Sequence, residues 1–385
     1  MLSDKMNDFK TSIFSELAAY KNQKLQAGIE MIDLSVGSPD LPPPAFVIDE
    51  LQRNVEDSLQ YGYSLSGTKE LHHAIAGYYA RQFDVQIQAE TDVLVSMGSQ
   101  DGLVHLPMVL TNPGDIILVP DPGYTAYDAG ISLAGATPYK MPLKEENQYL
   151  PELETIPEDI RKKAKVMILN FPGNPVPTLA TKEFFEKVVQ FAKENEIVVI
   201  HDFAYSELYY EEKPISFMAI AGAKDVGVEF NSLSKSFNMA GCRIGYIIGN
   251  EQVISGMNRL KSNLDYGVFL PIQKAAVAAL STPSTFSDQL RGTYQKRRDL
   301  LINGLNQLDW KVESPKATMF VWAKVPSSFT STEFAYKLIN EAGIVVTPGN
   351  AFGKEGEGYV RIALTQNEDT LEKAIARLKE LHCFS

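Results

Sequence analysis

Short apolar runs alternate with amphipathic stretches over the first 270 residues. Residues 181–194 predict a helix, because apolar side chains recur every four positions behind Thr181, a candidate N-cap. Alternation of this kind predicts a mostly parallel sheet covered by helices on both faces. Runs rich in Val and Ile and bounded by turn residues are typical of buried strands. The predicted strands are Val93–Ser96, Asp115–Val119, Lys165–Leu169, Ile197–Ile200, Gly227–Phe230 and Ile244–Gly249.

The pattern changes after residue 270. A helical stretch over Pro271–Asn306, broken near Pro283, is followed by further predicted elements. These are a strand containing Trp310, the strand MFVWAKV, a helix from the Thr330–Glu333 capping box to Gly343, the strands IVVTPG and GYVRIAL, and a last helix with Leu371, Ile375 and Leu378 on one face. We therefore expect an α/β chain. It should have a large domain at 36–270, a smaller α+β domain at 271–385, and an arm at 1–35 that packs against the small domain or a partner subunit.

Charge and composition exclude several classes of function. The formal net charge is −12 and there is no basic run, so we expect neither nucleic acid nor a membrane surface as a partner. Two cysteines, Cys242 and Cys383, and scattered histidines predict no metal site and a reducing compartment. The N-terminus lacks the apolar core of a signal peptide, and no run of about 18 apolar residues occurs. We therefore expect a cytoplasmic protein.

The segment NSLSKSFNMAGCRIGY, residues 231–246, has the strongest chemical pattern. Ser232, Ser234 and Lys235 follow a predicted strand, and Arg243 comes eight residues after the lysine. Hydroxyls and a guanidinium suit a phosphate dianion. A lysine beside such a site can form an imine with an aldehyde if burial lets it lose its proton.

S-x-S-K followed by G-x-R-x-G resembles the signature of the class I/II, fold-type-I, pyridoxal-phosphate aminotransferases. The resemblance extends from IDLSVGSPD near residue 35 to GYVRIAL near residue 361. It implies a large domain built on a mixed, mostly parallel seven-stranded sheet, and pyridoxal 5'-phosphate as cofactor. It also implies that Lys235 holds the cofactor as a Schiff base and shuttles the proton between the substrate α-carbon and the cofactor.

Three further residues match family positions around the cofactor ring. Asp202 follows a predicted strand, and a carboxylate facing the pyridine nitrogen would keep that nitrogen protonated. Tyr205 and Asn174 resemble the donors to the phenolic oxygen of the ring, and Asn174 is also expected to contact substrate. The family usually reads N-P-T-G here, whereas this chain has Val176 and Pro177 in the last two positions. We therefore expect the turn to differ locally.

The resemblance also suggests residues that would contact the cofactor phosphate, the face of the cofactor ring and the substrate carboxylate. Ser99 and Gln100 open a predicted helix whose N-terminus would bind the cofactor phosphate. Tyr124 lies where the family stacks an aromatic ring on the pyridine. Arg361, in an otherwise apolar strand, corresponds to the arginine that grips the substrate α-carboxylate, and the backbone of Gly37 to a second contact with it.

The segment YGYSLSG, residues 61–67, resembles the part of the family that reaches the cofactor phosphate of a partner subunit. Tyr63 is the assigned residue, although the spacing leaves Tyr61 open. This match implies a homodimer with shared active sites.

The expected activity is ping-pong transfer of an amino group between an L-amino acid and a 2-oxo acid. A β-lyase or synthase on the same fold would share every motif. A cofactor-sensing regulator would need a DNA-binding domain, and only about 35 residues precede the first motif, with no basic face. The sequence resembles most closely the bacterial transaminases that act on methionine-type or diaminopimelate-type substrates. Alanine and aromatic amino acids are the alternative donors.

Overall fold

The computed structural model describes residues 2–3, 6–7, 9, 13–381 and 383–384. Its first elements are helix α1, Ile13–Gln26, and the short strand β1, Ile32–Asp33. In α1, Leu17 packs in an apolar cluster with Ile339 and Val345 near the other end of the chain. The N-terminal segment therefore lies against the C-terminal part of the protein.

A seven-stranded sheet forms the centre of residues 36–270. Its strands are β2 (Val93–Ser96), β3 (Ile116–Asp121), β4 (Thr137–Pro142), β5 (Ala164–Leu169), β6 (Val198–Asp202), β7 (Gly227–Ser232) and β8 (Gly245–Gly249). Their order is β2-β8-β7-β6-β5-β3-β4, and β8 is antiparallel to both neighbours while the other pairs are parallel. The predicted mixed, mostly parallel sheet is confirmed.

Helices cover both faces of this sheet. They are α2 (Ala45–Val55), α3 (Lys69–Phe83), α4 (Ser99–Leu110), α5 (Ala126–Ala134), α6 (Glu158–Arg161), α7 (Lys182–Asn195), α8 (Ala223–Val226), α9 (Leu233–Ser236) and α10 (Glu251–Lys261). In α7 the Thr181 side chain accepts a hydrogen bond from the Phe184 amide, as its N-cap position predicts. The apolar face of α7 is buried, because its four-residue spacing puts these side chains on one side.

The C-terminal part combines helices with a three-stranded antiparallel sheet. Its elements are α11 (Leu270–Ser281), α12 (Phe286–Gln307), β9 (Phe320–Lys324), α13 (Ser331–Lys337), β10 (Ile344–Val345), β11 (Thr347–Pro348), β12 (Tyr359–Ala363) and α14 (Glu368–Lys379). The sheet order is β11-β12-β9, and β10 pairs in parallel with β1. The capping box of Thr330 and Glu333 forms, and a π-helical turn after α13 ends at Gly343, whose φ of +65° favours glycine.

One predicted strand is absent, and one observed strand was not predicted. Trp310 lies in irregular backbone, where its indole Nε1 donates to the Lys324 carbonyl at 2.6 Å and its ring packs on Phe334. Trp310 is predicted in a strand because aromatic residues are common in strands, but here it is buried in the core of the C-terminal part without strand pairing. Strand β4 was missed because, as an edge strand with mostly exposed side chains, it has no apolar run. The domain boundaries at 35/36 and 270/271 stay predictions.

Candidate active site

A cavity of about 420 Å³ opens where the carboxyl ends of the parallel strands meet the C-terminal part. The ends of β2, β3, β5, β6 and β7 lead directly into segments that contribute side chains to its lining. Eight of the predicted site residues line it: Gly37, Ser99, Tyr124, Asn174, Asp202, Tyr205, Lys235 and Arg361. Residues that lie between 37 and 361 in the sequence thus surround one space.

Lys235 lies in the short helix α9, which follows strand β7 directly. Strand β7 ends at Ser232, whose Oγ accepts from the Ser234 amide and so starts the short helix α9. The Lys235 Nζ donates to the Gly37 carbonyl at 2.6 Å. Burial, and secondly the positive charges of Arg361 and Arg243, lower the pKa of Lys235 to about 8. At pH 7 about a tenth of this amine is therefore uncharged, far more than of an ordinary lysine, and the uncharged form is the one that acts as nucleophile or base.

Asp202 is a buried carboxylate at the end of β6. The Tyr127 hydroxyl donates to its Oδ2 at 2.8 Å, and the Ala204 amide donates to its Oδ1 at 3.3 Å. Asn170 holds the same peptide by donating to the Asp202 carbonyl at 2.8 Å. Burial raises the pKa of Asp202 because the ionised form loses hydration, although the Tyr127 bond opposes this. A cationic ligand in the cavity would offset that cost.

Arg361 lies in the middle of β12 and points into the cavity. Its Nη1 donates to Asn174 Oδ1 and its Nη2 to the Ser35 carbonyl, both at 2.6 Å. The guanidinium also stacks over the Phe320 ring, 4.3 Å from the centroid. Burial lowers the pKa of Arg361 to about 10, so the group stays charged at neutral pH. A fixed, flat guanidinium of this kind can bind a carboxylate through two hydrogen bonds.

Gly37 is required by close packing next to Arg361. A Cβ built on Gly37 would lie 2.7 Å from the Phe320 ring, which itself supports the guanidinium. A larger residue would therefore displace the ring or move the carbonyl that accepts from Lys235.

A recess at the N-terminus of α4 lies beside Ser99, which lines the cavity. Gly98, with φ of +82°, is the N-cap and has no side chain to bond the first amides of the helix. A Cβ on Gly98 would lie 2.7 Å from Arg243 Nη2, and a Cβ on Gly245 would lie 2.7 Å from the Ser99 amide nitrogen. Two glycines thus keep space beside an arginine and a helix N-terminus, which suits an anion.

The aromatic candidates are held by neighbouring side chains. The Tyr124 hydroxyl donates to Gln100 Oε1 at 3.1 Å, and its ring meets the edge of Tyr127 at 5.7 Å. The Tyr205 ring lies edge-on to Phe320 at 5.6 Å. Burial raises the pKa values of both Tyr124 and Tyr205, so both hydroxyls keep their protons and can donate.

The remaining predicted residues are outside the cavity lining. Ser232 Oγ donates to Ser234 Oγ at 2.9 Å, so these hydroxyls bond each other in this structure. Arg243 is exposed at the rim, where its Nη1 donates to the Ala240 carbonyl at 3.0 Å. Tyr63 is 83% exposed, with its ring 4.8 Å from Tyr266, and lies on the surface of its own chain.

Sequence reasoning missed several residues of the site. Tyr127 and Asn170 both bond Asp202, and Lys21, Asp33 and Ser35 line the wall formed by the N-terminal segment. Tyr127 follows the predicted site residue Tyr124 by three positions, and Asn170 precedes the predicted Asn174 by four. This closeness in sequence was the only signal for either residue. Asp33 and Ser35 lie in the quoted motif IDLSVGSPD, of which only Gly37 was assigned to the site, and Lys21 lies in no motif. Their contacts depend on distant parts of the chain.

The structure also bears on disulfides, membrane spans and metal sites. Cys242 and Cys383 form no disulfide. Among the residues described, no helix is long and apolar enough to span a membrane, and no cluster of three or more His, Cys, Asp or Glu side chains could hold a metal ion.

Comparison with known proteins identifies the family. The family model of aminotransferase class I and II matches residues 29–378. The LL-diaminopimelate aminotransferase of Aquifex aeolicus is 42% identical over 381 residues, covering 98% of each chain, and that of Halothermothrix orenii is 42% identical over 379 residues, covering 98% of this chain and 97% of the relative. A substrate-bound BacF structure from Bacillus subtilis superposes with a TM-score of 0.97 at 38% identity, covering 100% of this chain and 99% of that one. The resemblance predicted from the motifs is confirmed, and the chain belongs to the class I and II aminotransferases, pyridoxal-phosphate-dependent transferases that move an amino group between an amino acid and a 2-oxo acid.

Proposed function

We propose that Lys235 is the catalytic lysine of this aminotransferase, that Asp202 supports the cofactor ring, and that Arg361 binds the substrate α-carboxylate. The observation that carries the proposal is that one cavity is lined by an amine with a lowered pKa, a buried carboxylate and a buried guanidinium. Such perturbed groups in one cleft are typical of an active site.

The residues present fit pyridoxal 5'-phosphate. The recess kept open by Gly98 and Gly245 suits its phosphate, with Ser99, Gln100 and Arg243 as donors. Ser232 and Ser234, at the start of α9, are close enough in sequence to Lys235 to add hydroxyl donors. Asp202 would face the ring nitrogen, and Asn174 and Tyr205 would donate to the phenolic oxygen, with Tyr124 against the ring face.

The protein's part in the reaction is to position groups and move one proton. The bound cofactor supplies an aldehyde and an electron-accepting ring. Arg361 and the backbone of Gly37 would orient the amino acid, so that its Cα–H bond points at Lys235 Nζ. Lys235 Nζ, uncharged in part because of burial, would then accept that proton. Arg361 would exchange its bond to Asn174 for the substrate carboxylate, leaving the Asn174 side chain next to the substrate.

We propose that the amino donor is of the LL-diaminopimelate type. The support is that curated relatives named for this activity share 42% identity over nearly the whole chain. By resemblance to the family, the segment 261–271 should lie near the pocket mouth, and it contains no arginine for a second carboxylate of an aspartate-like donor. Methionine, alanine and aromatic donors are the alternatives that the test must separate.

We also propose a homodimer with Tyr63 at the shared site. An exposed apolar surface supports this, since aromatic and aliphatic side chains that face water mark interfaces. It consists of Leu59, Tyr61, Tyr63, Leu264, Tyr266 and Phe269, which are 38–84% exposed. Tyr61 donates to the Val55 carbonyl of its own chain at 2.9 Å, which favours Tyr63 as the residue that reaches a partner's phosphate. We also propose that the enzyme is cytoplasmic, because free cysteines are typical of a reducing compartment.

A donor panel with 2-oxoglutarate tests the activity. LL-diaminopimelate, methionine, alanine and phenylalanine are each incubated with the holoenzyme, and glutamate formation is measured beside release of ammonia and pyruvate. We expect glutamate formation, with LL-diaminopimelate preferred. Ammonia and pyruvate without glutamate would mean a lyase, and preference for another donor would overturn the substrate class but not transamination.

Sedimentation of the wild type and Tyr63→Asp tests the dimer. We expect a dimer for the wild type and a weakened dimer with reduced cofactor affinity for the variant. A monomeric, fully active wild type would overturn the shared site.

A further inference from the structure

An ion pair between Lys21 and Asp33 forms part of the cavity wall. Helix α1 presents Ala18 and Lys21, one turn apart, to the cavity. Lys21 Nζ lies 2.8 Å from Asp33 Oδ2, and the two side chains are only 24% and 18% exposed. A cation and an anion are thus held side by side inside the space where substrate binds.

Asp33 is held rigidly. Its Oδ1 accepts from the Ser35 amide at 2.9 Å and from the Ser35 hydroxyl at 2.6 Å. Its backbone pairs with Val345 through β1 and β10, and its carbonyl accepts from Gln366 Nε2 at 3.0 Å. These bonds fix the carboxylate, and the pKa of Asp33 is lowered by the bonds from Lys21 and Ser35 despite its burial.

The pair is connected to Arg361 through a single residue. The Ser35 carbonyl accepts from Arg361 Nη2 at 2.6 Å, while the Ser35 amide and hydroxyl donate to Asp33. The guanidinium assigned to the α-carboxylate and the Lys21–Asp33 pair therefore lie on either side of Ser35. Their relative position is set by backbone and not by flexible side chains.

We propose that Lys21 and Asp33 determine substrate specificity by binding the far end of the donor. The Lys21 ammonium, which spends one of its three donors on Asp33, would bind a distal carboxylate. Asp33 Oδ2 would accept from a distal ammonium. This inference rests on the proposed function, because a donor with a second amino-acid group at its far end supplies both charges.

The alternative is a purely structural role, in which the Lys21–Asp33 pair only anchors helix α1. That helix has other attachments: Leu17 packs with Ile339 and Val345, and the Tyr20 hydroxyl donates to Asn340 Oδ1 at 2.8 Å. An anchor would not need to face the cavity. It would also affect every donor alike, and this difference makes the two roles separable.

Three donors with the same seven-carbon chain separate the contributions. 2-Aminoheptanoate has no distal group, 2-aminopimelate adds the carboxylate, and LL-2,6-diaminopimelate adds the ammonium as well. We would measure kcat/KM of the holoenzyme for each, in the wild type, Lys21→Met and Asp33→Asn. Lys24→Met is the matched control, because Lys24 lies on the same helix over the Tyr20 ring and does not line the cavity.

Lys21→Met should lose about tenfold in kcat/KM for both donors that carry a distal carboxylate, since a charge-assisted bond is removed. It should leave 2-aminoheptanoate unchanged. Asp33→Asn should lower the preference for LL-2,6-diaminopimelate over 2-aminopimelate by about tenfold. Lys24→Met should behave as the wild type.

Two other outcomes overturn the inference and differ from each other. If the wild type prefers the diamino diacid and the variants keep that preference, or lose activity equally on all three donors, the pair has no role in specificity and the proposed function stands. If the wild type shows no preference for distal groups, both the substrate class and the role of Lys21 and Asp33 are wrong.

A binding measurement checks the same contact without turnover. Titration calorimetry with pimelate and heptanoate, which differ by one distal carboxylate, should show tighter binding of pimelate to the wild-type holoenzyme. Lys21→Met should abolish that difference. An unchanged difference would contradict the assignment of the distal carboxylate to Lys21.

Discussion

Two buried carboxylates on neighbouring strands differ in what surrounds them. Strand β6 ends with His201 and Asp202, whose side chains point to opposite faces of the sheet. His201 Nδ1 faces Glu229 Oε2 at 2.8 Å on the side away from the cavity. Within residues 13–381, Glu229 bonds with four groups: the Tyr79 hydroxyl at 2.9 Å, the Ser216 hydroxyl at 2.8 Å, the Phe217 amide at 2.7 Å and His201.

Asp202 accepts only two hydrogen bonds within the same range, and its carboxylate lines the cavity. Both carboxylates are nearly without solvent contact, at 4% for Asp202 and 0% for Glu229. Burial alone therefore does not distinguish a structural carboxylate from a functional one. What distinguishes them is whether the protein itself supplies the partners, since an under-bonded buried charge needs a ligand.

The largest effect on activity should come from Lys235→Ala, because Lys235 lines the same cavity as Asp202. Transamination should fall by at least about 10³-fold, because the amine proposed as both nucleophile and base is removed. The holoenzyme's visible absorbance should change as well, and unfolding by urea should not. Steady-state kinetics and a cofactor spectrum measure this, and full turnover by the variant would remove the basis of the assigned site.

Asp202→Asn should cost about 10²-fold in kcat while leaving the cofactor-free protein as stable as the wild type, within about 1 kcal/mol. Burial raises the pKa of Asp202, so the folded chain holds that proton more tightly than the unfolded chain. The ionised carboxylate therefore destabilises the fold above its folded-state pKa, and this penalty fades as the pH falls through it. Urea unfolding at several pH values checks the sign, and a large stability loss at neutral pH would refute the contrast.

Glu229→Gln should show the reverse pattern. Its donors lose a charged acceptor in a buried network, so the free energy of unfolding should fall by about 2–4 kcal/mol. The kcat of the folded fraction should stay near the wild-type value, since Glu229 does not line the cavity. Equal damage to stability and kcat in both variants would show that the two carboxylates are one coupled network.

The smallest effect concerns the Lys235 amine in the cofactor-free protein. Its pKa is lowered to about 8, so its acetylation rate should reach half its maximum near pH 8, while ordinary lysines need a pH of about 10.4. Arg361→Gln removes a positive neighbour and should shift that midpoint upward. Mass spectrometry of the labelled Lys235 peptide gives the midpoints, and a midpoint at that of exposed lysines would contradict burial of the amine.

Most elements of the fold could be predicted from local pattern. The six strands predicted within residues 36–270 are present, with ends shifted by at most two residues, and the break near Pro283 separates α11 from α12. Local signals failed where an element's state depends on tertiary contacts. Trp310 reads as a strand residue, yet it is buried by its contacts with Phe334 and Lys324 and not by pairing.

The site divides in the same way. Lys235, Asp202, Asn174 and Arg361 could be proposed from the sequence because each lies in a motif that resembles one of the family. Their contacts were not predictable: Arg361 Nη1 bonds Asn174, 187 residues away, and Arg361 Nη2 bonds the Ser35 carbonyl, 326 residues away. Nor could Tyr127 be recognised as the donor to Asp202, because a tyrosine in an apolar helix is usually core.

The sequence by itself indicated the fold class through its hydrophobic periodicity and the family through the resemblance of its motifs, and that resemblance also supplied the proposed site residues. Only the tertiary structure decided which buried carboxylate is already bonded and which faces the cavity. It alone also placed Lys21 and Asp33 in the cavity wall. The physical reason is that hydrogen bonding and burial depend on distances between segments far apart in the chain, and these distances exist only after the strands and helices have packed.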